Sequence, residues 1–169
     1  FSGGAMELVG SDEAGRNAGL LLQAFRRNNK PIIHVQHIAA HDDATFFLPD
    51  TAGVNIHESV APLPGEKTIQ KHFPSSFRET PLLAYLKSQD ISSLVIAGMM
   101  THMCIDTTTR AAADLGFDCV LAHDGCATRA LSFGSNIVPA ENVQNAFLAS
   151  IDGTFAAVRS TKDICSELP

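Results

Sequence analysis

Apolar residues along this chain fall into short unbroken runs and into longer stretches spaced for a helix. Leu20, Leu21, Ala24 and Phe25 recur at helical spacing and predict a helix that ends in the polar cluster Arg26 to Lys30. Pro31 then opens a strand, Ile32-Ile33-His34-Val35, in which His34 reads as structural. The segment from His37 to about Lys67 is rich in Pro, Asp and Gly and predicts loop. Loops this long in compact domains are usually functional. Thr68 to Lys71 predicts a second short strand, and Pro81 to Gln89 a helix with Leu82, Leu83 and Leu86 on one face.

Ser93 to Gly98 is a continuous apolar run, the pattern of a strand buried on both faces. A helix is predicted from Met103 to Leu115, with Gly116 where a C-terminal glycine cap belongs. Cys119 to Ala122 predicts another buried strand, Asn142 to Ile151 a helix, and Phe155 to Val158 a final strand. This alternation implies an α/β protein: a three-layer α-β-α arrangement around a parallel sheet, in a single domain over residues 1–169. No internal repeat or linker interrupts it. Ligands of such sheets bind beyond the carboxyl ends of the strands. The residues so placed are His37, Lys71, the stretch 98–104 and His123-Asp124.

Composition narrows the partners. The chain is 45% hydrophobic and has no run of 18 apolar residues, so no membrane partner is expected. Its start, FSGGAMELVG, lacks the basic and apolar regions of a signal peptide, which gives a cytoplasmic expectation. A net charge of −6, with both signs mixed along the chain, argues against nucleic acid. The four cysteines, Cys104, Cys119, Cys126 and Cys165, form no C-x-x-C pair and read as reduced thiols. Phe occurs ten times and Trp not at all, which allows a Phe-lined pocket without locating it.

The candidate chemistry lies in G-M-M-T-H-M-C, residues 98–104. This segment leaves a buried strand and enters a helix, with Cys104 expected in its first turn. Free amides and the macrodipole at a helix N-terminus favour thiolate over thiol and can hold an oxyanion. A buried cysteine at such a turn also serves commonly as a small core residue. Lys71 ends a strand and points to the same rim, where an ammonium favours thiolate and assists proton transfer. Alone, it reads equally as a solvated surface lysine.

Together these segments resemble the isochorismatase-like cysteine hydrolases. G-M-M-T-H-M-C is similar to that superfamily's G-x-x-T/S-x-x-C signature, and K-H-F-P-S-S-F (residues 71–77) to its K-x-x-x-S-x-F segment. D-L-G-F and H-D-G-C-A-T-R further on fit as well, and the resemblance covers essentially the whole chain. It implies strand order 3-2-1-4-5-6, cysteine attack on a carbonyl, a thioester intermediate and release by water. Cys104 becomes the nucleophile and Lys71 the second triad member. The backbone amides of Met100 and Cys104 become the oxyanion hole, and the Met99–Met100 peptide is expected to be cis. Thr101 is expected to brace the turn through its hydroxyl. The third triad member in the family is an aspartate in a D-x-Q-N-D-Y-F-like segment ending the first strand. Phe1-Ser2-Gly3-Gly4-Ala5-Met6-Glu7-Leu8 is similar to the continuation of that segment. The first strand and its aspartate are therefore expected upstream of Phe1.

Seven histidines raise the question of a metal. Nicotinamidases of the resembled superfamily use an Asp-x-His pair after the second strand and a histidine downstream. Here His37-Ile38-Ala39 stands at the pair and only His57 resembles the downstream ligand, so neither metal nor cofactor is expected. His37 and His41 read as rim residues, binding substrate or facing water. His102 is two residues from Cys104 at a helix start, so the two side chains should diverge. Phe46, Phe47, Phe73 and Phe77 are candidate pocket walls, with Phe73 and Phe77 the better pair for their nearness to Lys71. The expected substrate contacts are thus Phe73, Phe77, His37 and Thr101. The expected function is hydrolysis of an amide-type C–N bond in a small molecule. A catalytically inactive binding module and a vinyl ether hydrolase are the alternatives. The superfamily's habits suggest a homodimer or homotetramer.

Overall fold

The computed structural model describes residues 6–41 and 43–168. The expectations attached to Phe1 to Ala5 lie outside the described residues. Helix α1 (Ser11–Arg27) begins after Gly10, which takes the left-handed conformation at φ 74°. Asp12 and Glu13 occupy its first turn and Arg26 and Arg27 its last, complementing the helix dipole. Leu21 and Ala24 are buried, whereas Leu20 is 61% exposed and does not belong to the buried stripe predicted for it.

Strand β1 (Ile33–His37) pairs in parallel with β2 (Lys67–Lys71), setting His37 opposite Lys71. The chain between them carries two short 3₁₀ turns, Ala52–Val54 and Glu58–Val60. Helix α2 (Leu82–Ser88) leads to β3 (Ser93–Met99), a π-helical turn (Thr101–Ile105) and α3 (Asp106–Asp114). Strand β4 (Asp118–Ala127) is followed by the hairpin β5 (Leu131–Phe133) and β6 (Asn136–Val138), then α4 (Ala140–Ile151), β7 (Ala157–Arg159) and α5 (Thr161–Glu167). The hairpin and α5 were not expected. No described helix is long and apolar enough to cross a membrane.

Strands β3, β4 and β7 form one parallel sheet in that order. Their alternation explains the layers, because successive side chains on a strand face opposite ways. Leu94, Ile96 and Leu121 join a core with Ile105, Ala112 and Ile151 from the side of α3 and α4. Val95, Ala97, Val120 and Ala122 join Leu21 and Ile164, from α1 and α5, on the other face. Leu121 and Ala122 are both fully buried, so the sheet is covered on both faces, as unbroken apolar runs require. Burying a side chain such as Leu121 contributes about 1.5–3 kcal/mol.

The continuous order 3-2-1-4-5-6 is not seen among the described residues. The sheet is interrupted: β2–β1 is one parallel pair and β3–β4–β7 a separate set. Between them lies a cavity of about 510 Å³, lined by Ile33 and Val35 of β1 on one side and by Leu94 and Ile96 of β3 on the other. Lys71 and Cys104 line the same cavity.

Candidate active site

The site forms where β2 and β3 end. Near the end of β3, Gly98 sits at φ 136°, a conformation that side chains rarely adopt, and the Met99–Met100 peptide that follows is cis. The Met100 carbonyl then accepts from Met103 N at 3.1 Å and from Ile105 N at 3.2 Å. The second bond spans five residues and widens the turn. Cys104 therefore lies in a π-helical turn ahead of α3, which corrects the expected ordinary first turn of an α-helix. Such π-turns recur at functional sites.

Lys71 is 4% exposed, which removes the reading of a solvated surface lysine. Its Nζ donates to Phe73 O (2.7 Å), Pro74 O (3.0 Å) and Cys104 Sγ (3.2 Å), and lies 3.1 Å from His37 Nδ1. A buried ammonium is costly unless its protons are bonded, and these acceptors meet that need. The segment carrying the two carbonyls is fastened to α3. Ser76 N donates to Thr108 Oγ1 at 3.0 Å, and the two hydroxyls are 3.1 Å apart. Ser76 follows Ser75, the serine of the K-x-x-x-S-x-F pattern, and this contact fastens to α3 the segment that leaves Lys71.

His37 lies against Phe47, ring centroids 5.0 Å apart, and Phe47 meets Phe46 edge-on at 5.2 Å. The Ala39 amide donates to Phe47 O at 2.8 Å, so the long loop folds back over the end of β1. Burial, then the neighbouring charges of Lys71 and His72, lower the pKa of His37 to about 4. Its imidazole is neutral at ordinary pH.

The remaining candidates divide. Phe77 lines the cavity and stacks on Phe117, centroids 6.0 Å apart, within the core. The Phe73 ring carries the Arg78 guanidinium 3.6 Å above it. Thr101 is fully buried and its Oγ1 has no hydrogen-bond partner among the described residues. The structure thus shows, among the described residues, a buried side chain with no hydrogen bond that braces the turn. His102 turns away from Cys104, its Nδ1 2.5 Å from Thr128 Oγ1, and burial beside Arg129 lowers its pKa.

His34 is structural, bonded through Nε2 to Glu66 at 2.7 Å. His57 accepts from Ser59 N at 3.3 Å and caps the turn that follows it. Asp124 falls inside β4 rather than after a strand, and its Oδ1 accepts from Thr161 N and Thr161 Oγ1, both at 2.8 Å, fixing the start of α5. Among the described residues, no three His, Cys, Asp or Glu side chains converge as a metal site would need. All four cysteines are free. Burial raises the thiol pKa of Cys119 and Cys165, and pushes Cys126 up to about 12. Cys104 alone of the four lies against an ammonium.

Two contacts that build the site escaped sequence reasoning. Ser76 to Thr108 spans 32 residues and His37 to Lys71 spans 34, and neither spacing has a local signature. The only signal for the second was that both residues close a predicted strand.

The isochorismatase domain profile matches residues 1–163, and the chain belongs to the isochorismatase family. It is an isochorismatase-family hydrolase. It is 46% identical over 162 residues to the uncharacterized isochorismatase family protein YddQ of Bacillus subtilis (strain 168), covering 96% of this chain and 90% of that protein. A crystal structure of an isochorismatase-family hydrolase from Oleispira antarctica superposes with a TM-score of 0.93 at 44% identity, covering 98% of this chain and 89% of that one. A streptothricin hydrolase of Streptomyces noursei is 34% identical over 113 residues, covering 67% of this chain and 40% of that protein.

Proposed function

We propose that the chain hydrolyses an amide-type C–N bond in a small molecule, with Cys104 as nucleophile and a thioester intermediate. One observation carries this reading: the Lys71 ammonium donates to Cys104 Sγ at 3.2 Å inside a cavity bounded by strand ends. A hydrogen-bonded cation stabilises negative charge on sulfur, the reactive form of the nucleophile. The relation to a streptothricin hydrolase supports C–N chemistry.

In the proposed reaction the sulfur electron pair attacks the substrate carbonyl carbon, and the carbonyl oxygen becomes an oxyanion. The amides of Met100 and Cys104 donate to it. The oxyanion collapses, the C–N bond breaks, nitrogen leaves carrying the proton that the base took from the thiol, and a thioester remains on Sγ. Water then adds to the thioester carbonyl as the base takes its proton, the C–S bond breaks with the electron pair returning to sulfur, the proton goes back to sulfur, and the carboxylic acid departs. Among the described residues, hydrogen bonds to Lys71 and Cys104 include none from a carboxylate. The reading assigns the base to an aspartate on a strand filling the cavity between β1 and β3, whose carboxyl end opens beside both residues.

The test is turnover of a panel of small amides, ureides and imides by the native protein and by Cys104→Ala. The proposal expects hydrolysis of at least one member by the former and none by the latter. Near-normal turnover by Cys104→Ala sinks it.

A further inference from the structure

Residues 130–140 carry no charged side chain, in a chain whose formal net charge is −6. Within that stretch β5 and β6, joined by Gly134-Ser135, pair only with each other among the described residues. Ser132 to Pro139 are exposed without a break. The register sets Ser132 opposite Ile137 and Phe133 opposite Asn136, so Phe133 and Ile137 lie on opposite faces of the hairpin. Phe133 is 85% exposed and Ile137 73%, which leaves an apolar side chain in water on each face. A lone two-stranded hairpin is marginally stable in water. Clustered exposed apolar side chains mark a surface that another surface covers.

The uncharged surface continues along the chain, since Pro139 alone separates β6 from α4. The exposed positions of α4 are Glu141, Asn142, Asn145, Ala146, Ala149 and Ser150, with a single charge among them. A stable dimer buries about 800 Å² on each partner, apolar at the centre and polar at the rim. Phe133 exposes roughly 150 Å² by itself, and Ile137 and Val138 add to it. The small and amide side chains of α4 suit the remainder.

Charge decides the occupant. In a two-fold contact the same patch of both copies meets, so a charge near the axis faces its like. Two acidic chains therefore associate best through a surface without charge, and this stretch is one. A partner of different sequence is selected by complementary charges across the contact. Residues 130–140 offer none.

We propose that the β5–β6 hairpin is a dimerisation arm, which packs against the hairpin and α4 of a second copy of this chain. Both of its faces are apolar, so each arm is enclosed by the partner rather than laid flat on it. The inference is independent of the proposed chemistry of Cys104.

The experiment is sedimentation velocity over a dilution series on the native protein, Phe133→Glu and Ile137→Glu, with amide hydrogen exchange of residues 131–138 in parallel. The native protein is expected at an even multiple of the 18.0 kDa of one chain. Each substitution enters the interface twice and sets like charges there, so dissociation should occur at a concentration roughly a hundredfold or more higher. Exchange in the hairpin should be slow in concentrated native protein and faster on dilution. Both side chains are exposed in the single chain, so the variants should keep the native circular dichroism. If Phe133→Glu fails to fold, Phe133→Ser, which adds no charge, replaces it and should weaken association in the same direction. Native protein that sediments as a single chain at every concentration, or as an odd oligomer, overturns the proposal, whatever else covers the hairpin. So does an oligomer whose dissociation is unchanged by the substitutions.

Discussion

Lys71 closes a strand of one hydrogen-bonded sheet and Cys104 follows a strand of another, yet Nζ and Sγ meet at 3.2 Å. Lys71 closes β2, and Cys104 follows β3 in a π-helical turn. The contact depends on both strand ends and on the Ser76 to Thr108 fastening at once. Replacing the ammonium should therefore change the thiol more than the fold. Lys71→Met, which keeps the length of the side chain, is expected to lower hydrolysis about a hundredfold or more, the usual scale for a positioned proton-handling group. Lys71→Arg should not restore it, because a planar guanidinium cannot meet the same four acceptors. Steady-state kinetics on whichever amide the native protein turns over checks both.

Thiol reagents should discriminate among the four cysteines. Cys119 and Cys126 are buried, and burial raises both thiols, Cys126 to about 12. In the native protein at pH 8, Cys104 is expected to react first and Cys126 only after denaturation. Peptide mapping after timed labelling checks the order; early labelling of Cys126 contradicts it.

Glu66 joins the long loop to α1 and β1. Its carboxylate accepts from Arg26 Nε (2.7 Å), Arg26 Nη2 (2.8 Å) and Leu63 N (2.8 Å), and faces His34 Nε2 at 2.7 Å. The Arg26 hydrogen bond, foremost, lowers its pKa from 4.5 to about 2. A carboxyl depressed on folding contributes stability that is present above its unfolded pKa and lost as pH falls through the folded one. The native protein should thus lose this contribution between about pH 4.5 and about pH 2. Glu66→Gln should be less stable by roughly 1–3 kcal/mol at neutral pH, the cost of a broken charged hydrogen-bond cluster. It should also show a flatter acid limb, and denaturant melts at stepped pH values test both.

Gly19 marks a close approach of α1 to the loop. A Cβ there would stand 2.7 Å from the Ser59 carbonyl oxygen, a backbone atom that cannot swing aside. Alanine favours a helix over glycine by about 1 kcal/mol, yet Gly19→Ala is expected to destabilise by about 1–3 kcal/mol net through overpacking. A Tm equal to or above native contradicts this.

Legibility in the sequence followed the range of each interaction. The unbroken runs ending at Gly98 and Ala122 announced buried parallel strands, and the two motifs around Lys71 and Cys104 placed both residues at one rim. Helix α5 was missed although Ser160 caps it through Asp163 N at 3.1 Å, a serine-to-acid spacing visible in the sequence. The hairpin was likewise signalled by Gly134-Ser135 between short runs of alternating pattern. The π-turn had no local signature, since it depends on the Met100 carbonyl taking two amides. The burial of Lys71 had none either, because the atoms that satisfy it come from three parts of the chain.

The most direct test of the central claim is intact-mass analysis of the native protein, quenched in acid during turnover of an amide substrate. The account predicts an added mass equal to the acyl portion of the substrate, mapped to the Cys104 peptide, sensitive to hydroxylamine and absent from Cys104→Ala. Active turnover with no adduct at Cys104 under any quench, or an adduct on another residue, contradicts it.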